Sequence, residues 1–176
     1  MPQSHLAVPA VGFLTVAQSD SLGWTGGYLL LNSQGRPLEF HCTLPVRPSR
    51  AHEILYGRTF RSHLIQDVLA PPLLRQGKTP PLLLCTDLEE LLGFEGAGIE
   101  IPVGQILDGS SLQATCDQAC AVPLPSAGFL RVFPGREDQV RSIIDQFRDL
   151  VDWSEPLMRI REAIREAQSH AVLRAA

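Results

Sequence analysis

The stretch from Trp24 to Asp87 decides the fold: it opens WTGGYLLLNSQGRPLEFHCTLPV (24–46) and closes PPLLLCTD (80–87), with a helical segment between. Tyr28 to Leu31 is an unbroken apolar run that ends at Asn32-Ser33-Gln34-Gly35, after which Leu38, Phe40, Cys42 and Leu44 alternate with Glu39, His41 and Thr43. A turn between two strands is the reading. Strand side chains point alternately to the two faces. The pattern therefore predicts Leu38, Phe40, Cys42 and Leu44 on a core face, with Glu39, His41 and Thr43 on a polar one. Tyr28 to Leu31 has no alternation, as befits a central strand covered on both faces.

Upstream, Val11 to Ala17 predicts a first strand, completing a three-stranded antiparallel meander. Downstream, Pro45-Val46-Arg47-Pro48 ends the sheet segment, since proline supplies no ladder donor, and Ser49 is positioned as a helix N-cap. Residues 50–69 read as helix interrupted at Gly57, with Leu64, Ile65, Val68 and Leu69 forming the stripe that faces the sheet. Arg61 falls on that stripe. Either the helix restarts near Ser62 and leaves Arg61 outside, or Arg61 is partly buried against an acid. Pro71-Pro72 and Gly77 to Pro81 bracket a short connection, and Leu82 to Cys85 is a fully apolar strand. Because it follows a helix packed on the sheet, a right-handed crossover places it parallel to an earlier strand.

Gly93 to Ser126 carries less pattern, with a short strand expected at 99–103 and a last one at 127–133. Val140, Ile143, Ile144, Phe147, Leu150 and Val151 mark one face of an amphipathic helix. Ser154 is placed to cap a second helix, whose stripe is Leu157, Ile160, Ile164, Ala167 and Ala171. That heptad-like spacing lasts only two heptads, which favours packing on the chain's own core over a seam with a partner or a second copy. The organisation expected is a sheet domain over 1–133 and a helix pair over 134–176 packed on it.

The chain has 176 residues, 44% of them hydrophobic, enough for one sizeable core. No run is long enough for a membrane span, and the start shows no secretory pattern, so a cytoplasmic protein is expected. Residues 1–80 hold seven basic against four acidic side chains, and 81–176 eight against fifteen, for a net charge of −4. Fourteen of the fifteen basic residues are arginine, as a GC-rich genome would produce.

Four cysteines in such a chain read as free thiols. Cys42 and Cys85 look like core strand residues. Cys116 and Cys120 supply two of the four ligands a structural zinc needs, so no metal set and no cofactor is indicated. Glu39 and His41 share one strand face and could share a proton or a ligand. Arg47, Arg50, Arg58 and Arg61, interleaved with His52, Tyr56, Phe60 and His63, form a basic-aromatic cluster of the kind that meets phosphates and bases. Walker, dinucleotide-glycine, nucleophile-elbow and HExxH patterns do not occur.

The element order, α+β (or α/β) with a mixed sheet of N-terminal meander, crossover helix and parallel strand followed by two C-terminal helices, resembles the ribonuclease H-like fold over residues 11–103. That resemblance implies divalent metal for phosphodiester cleavage, held by acids on the first strand, the first helix and the end of the fourth strand. Asp87 matches the third place and Glu53 the second, while the first strand, GFLTVAQ, has no acid. Three functional expectations follow. The leading one is a non-enzymatic domain binding a protein partner, or a second copy, through the C-terminal helices or the Glu39/His41 face. The second is a degenerate or active metal-dependent phosphodiesterase with Glu53 and Asp87 as candidate catalytic residues. The third is nucleic-acid binding through Arg50, Arg58 and Arg61.

Overall fold

The computed structural model describes residues 8–96, 100–108, 120–125, 128–150 and 152–175. Three strands, β1 (Ala10–Ser19), β2 (Gly23–Asn32) and β3 (Pro37–Cys42), form the antiparallel meander. A broken helical segment then crosses the sheet as α1 (Arg50–Tyr56), α2 (Phe60–His63) and α3 (Ala70–Gln76). Strand β4 (Leu83–Thr86) returns parallel to β1, and β5 (Val103–Leu107) lies parallel to β4. The antiparallel β6 (Ala121–Pro123) and β7 (Phe129–Val132) complete a seven-stranded sheet in the order β3-β2-β1-β4-β5-β7-β6. Helices α4 (Glu137–Gln146) and α5 (Glu155–Ala175) cover one face.

Two apolar layers sandwich the sheet. On one face Val11, Phe13, Leu29, Leu31 and Cys85 pack with Val140, Phe147, Trp153, Ile160 and Ile164 of the C-terminal helices and their junction. On the other, Leu14, Tyr28, Leu30 and Leu84 pack with Ile65, Leu73, Leu91 and Phe94. The unbroken apolar run in β2 thus reflects two covered faces, as Tyr28, Leu29, Leu30 and Leu31 are all buried. Gly27 lets α5 approach, since a Cβ there would lie 2.4 Å from Ile160 Cγ2.

Ser49 caps α1 by accepting from the His52 N–H at 3.3 Å. The N-terminus of α5 is capped instead by Asp152, which accepts from the Ser154 N–H at 2.9 Å and the Glu155 N–H at 3.2 Å. The Ser154 hydroxyl, which donates to the same carboxylate at 2.7 Å, and then these backbone donors hold the Asp152 carboxyl below its ordinary pKa. Leu157, Ile160 and Ile164 are spent on the chain's own core, whereas Ala167 is exposed and Ala171 lies where no side chain is described.

Several expectations are corrected. The alternation in β3 is real but its faces are exchanged: Leu38, Phe40, Cys42 and Leu44 are exposed, and Glu39, His41 and Thr43 are the more covered side chains. An edge strand is covered only where a neighbour reaches it, and here the segment after α3 closes on the Glu39 side. Cys42 is accordingly exposed while Cys85 is buried in the core, where desolvation pushes its thiol well up. Pro71-Pro72 stand in the first turn of α3, not in a connection. The six residues before it, Leu64–Leu69, are π-helical, with Ala70 N–H donating to Ile65 C=O, and this wider turn admits a helix start that needs no proline donor. Helix α4 stops at Gln146, so Phe147 and Leu150 reach the same apolar layer from the turn that follows it. The strand expected at 99–103 begins instead at Val103, residue 99 lying outside the described residues, and β6 has no counterpart in the sequence pattern.

Candidate functional site

Ligand sites in open sheets with parallel strands gather at the carboxyl ends of those strands. At that end of β1 and β4 stands a cluster of three polar side chains. The Thr15 hydroxyl, fully buried on β1, donates to Asp87 Oδ1 at 2.8 Å, just past the end of β4. Arg161 of α5 donates through Nη2 to Thr15 Oγ1 at 3.0 Å and to Asp87 Oδ2. Both carboxylate oxygens are thus engaged, and the pair is about one-third exposed, at 33% for Arg161 and 29% for Asp87. The strand end is further tied down by Leu88 N–H donating to Thr86 Oγ1 at 3.1 Å.

This donor set does not fit a pair of hard divalent cations. Such ions need several converging oxygens, and here one carboxylate is already neutralised by a guanidinium while the β1 position carries a hydroxyl. Among the described residues no group of three or more His, Cys, Asp or Glu side chains could hold a metal. Glu53 is not brought to Asp87 by any contact: it pairs with Arg50 at 3.0 Å on the surface of α1.

Beside the cluster, a concavity of about 410 Å³ is lined by Val16, Gln18, Ser19, Arg161, Arg165 and Gln168, with no acid among the described residues of its wall. The same end of the sheet carries Trp24, paired with Gln18, and Arg61, whose guanidinium lies 5.5 Å from the Trp24 ring centre and pairs with Glu90. Arg61 thus meets neither sequence alternative in full: it has the acid partner of the second but not its burial, and it lies inside α2, not ahead of the helix as the first required. Val46 bridges to Trp24, and next to it Arg47, His52, Tyr56, Phe60 and His63 line a pocket of about 260 Å³, the Tyr56 and His63 rings stacked at 4.0 Å. The arginine-aromatic cluster is thus brought together in part. Arg50 and Arg58 are exposed.

Glu39 and His41 lie elsewhere, opposite Leu30 and Tyr28. His41 Nε2 and Glu39 Oε2 are 3.0 Å apart, and the N–H groups of Lys78 and Thr79 each donate to Glu39 at 2.9 Å. Burial acting alone would raise the Glu39 pKa. The hydrogen bonds from Lys78, His41 and Thr79 outweigh it and bring the group down to about 2. A depressed carboxyl stabilises the fold above its unfolded pKa, and that stabilisation is lost as pH falls towards the folded value. The stability difference between the native chain and Glu39→Gln is therefore expected to be full above pH 4.5 and to vanish near pH 2. Urea denaturation at a series of pH values checks this; a difference constant across that window would refute it.

Arg161 escapes a sequence reading because it lies 74 positions from Asp87 on a helix whose charges alternate in the ordinary solvated manner. Cys116 of the thiol pair lies outside the described residues, and Cys120 is buried. No helix among the described residues is long and apolar enough to cross a membrane.

Sheet order, crossover and helix placement together define a ribonuclease H-like fold. No protein-family description matches the chain, and no curated protein is similar to it in sequence. Among solved structures it is similar to the catalytic domain of human endonuclease V, with a TM-score of 0.54 and 12% identity over 93% of this chain and 85% of that one. It is also similar to Ciona intestinalis endonuclease V, solved in complex with a 24mer DNA containing an inosine followed by a ribo-adenosine, with a TM-score of 0.50 and 11% identity over 91% and 87% of the two chains. At these identities the likeness is one of fold.

Proposed function

We propose that this chain is a nucleic-acid-binding domain that holds a phosphodiester strand at the carboxyl end of β1 and β4 without cutting it. The observation that carries this reading is the saturation of Asp87 by Thr15 and Arg161. The carboxylate is committed to an internal cation, Arg161, and the adjoining wall offers Arg165 to an anion. Arg47, with Trp24 and the Tyr56 and Phe60 rings, extends the same end with charge and stacking surface, the combination that suits single strands. The fold it shares with a DNA-bound endonuclease supports the substrate class. A protein-binding role through the C-terminal stripe has less to support it, because Leu157, Ile160 and Ile164 are buried inside the fold.

Anisotropy titrations with fluorescent single-stranded and duplex oligonucleotides test the proposal. Single-strand binding is expected to weaken linearly in log salt, and Arg165→Ala to reduce that slope by about 0.7, the value of one phosphate contact. Incubation with magnesium or manganese should leave the strands intact. Cleavage that disappears in Asp87→Asn would establish a phosphodiesterase instead, and the absence of any salt-sensitive binding would reject the nucleic-acid reading.

A further inference from the structure

A concavity of about 700 Å³ belongs to the other face of the sheet and the amino end of β4, away from Asp87. Its wall includes Tyr28, Leu74, Arg75, Lys78, Phe94 and Ile101. Tyr28 is 1% exposed, and its ring lies across Gly12, where a Cβ would come within 2.7 Å of Cε2 and 2.9 Å of the phenol oxygen. Only glycine on β1 leaves that path open. Yet the phenol this arrangement accommodates has no hydrogen-bond partner among the described residues. The ring is buried, but the phenol oxygen is not among the fully enclosed unpaired polar atoms, so its donor is open to the cavity. Burial, and then the charge of Glu39, push the phenol up, so it remains a donor at any physiological pH.

The described wall holds two cations, Arg75 and Lys78, and one acid, Asp67, with the Glu39 carboxylate close enough to act on Tyr28. Asp67, the one acid among its described residues, is held by His63 at 2.7 Å. Glu39 accepts from the backbone N–H groups of Lys78 and Thr79 and so fixes that stretch of wall, leaving the Lys78 ammonium without an acidic partner among the described residues. Arg75 likewise has no acidic partner among them. A largely apolar concavity of this size, with an accessible phenol donor and two cations that have no acidic partner among the described residues, has the make-up of a small-molecule site.

We propose that this cavity binds an apolar carboxylate of drug-like size, with Leu74, Phe94 and Ile101 covering its body, Tyr28 donating to an oxygen and Arg75 and Lys78 holding its charge. The proposal is independent of the nucleic-acid reading. It is tested on the full chain with 2-naphthoate as probe and 2-naphthamide as its uncharged counterpart, followed by two-dimensional proton–nitrogen NMR. Saturable shifts are expected at the Gly77, Lys78 and Thr79 amides, with the amide probe about tenfold weaker. Tyr28→Phe and Arg75→Gln should each weaken naphthoate about fivefold. Tyr28→Phe loses no hydrogen bond within the chain, so its thermal midpoint should equal or exceed that of the native protein. Absence of saturable shifts, shifts confined to other surfaces, equal affinity for the two probes, or unchanged affinity in both variants would overturn the assignment.

Discussion

Trp153→Ala is expected to destabilise the fold by about 3–5 kcal/mol, the range for emptying a fully buried aromatic site. Trp153 is 0% exposed and is the largest of the fully buried side chains among the described residues. It sits where the chain passes from α4 to α5, its ring 6.2 Å from that of Phe13 on β1 and tilted by 52°. It is therefore the wedge that joins the C-terminal helices to the sheet, and the surrounding Phe147, Leu157 and Ile160 belong to the same layer. A second substitution separates volume from polarity. The indole Nε1 is buried without a partner among the described residues, so Trp153→Phe loses ring volume but also removes a donor unsatisfied there. Its cost should be smaller, about 1–2 kcal/mol. Urea denaturation of both variants checks the pair of values; a loss below about 1 kcal/mol for Trp153→Ala would mean that the helices do not depend on this contact.

The strand and helix pattern is legible in the sequence because burial on two faces, on one face or on a helical stripe imposes different periods. Tyr28 to Leu31, the Leu82 to Cys85 run apart from its exposed first residue, and the Val140 to Ile144 stripe each lie in the element their spacing implies. What periodicity does not encode is which of two faces is covered. In β3 it separates Phe40 from Glu39 but cannot say that Phe40 remains 40% exposed while a backbone N–H forty residues away closes over Glu39. Pro71-Pro72 is ambiguous for a related reason: a missing N–H forbids an interior helical position but suits the first turn of a new helix, and the π-helical turn before it leaves no local mark. Of the site, Asp87 is visible as an acid after an apolar strand. Thr15 and Arg161 are not, because neither residue type is unusual where it stands and their association is made by tertiary packing alone.

That association gives the functional prediction its sign. If Asp87 were a metal ligand in a cleaving site, Asp87→Asn would weaken function. In a site that binds and does not cut, Asp87 is the internal counter-ion of Arg161, and its carboxylate repels any phosphate drawn to Arg165. Asp87→Asn removes that negative charge while keeping an oxygen that can accept from Thr15. Affinity for single strands is then expected to rise by about twofold to fivefold at low salt, the worth of one partly exposed charge. Salt dependence should steepen with it, as Arg161 becomes available to a phosphate. Stability should move the other way: a one-third-exposed pair lies between surface and buried cases, so its loss should cost about 1–2 kcal/mol. Arg161→Met is the complementary variant, since it lowers affinity while leaving Asp87 uncompensated and the fold comparably weakened. Opposite shifts in affinity from the two halves of one ion pair would distinguish electrostatic unmasking from simple structural damage, which would lower binding in both; a fall in affinity on Asp87→Asn would refute the role assigned to the carboxylate.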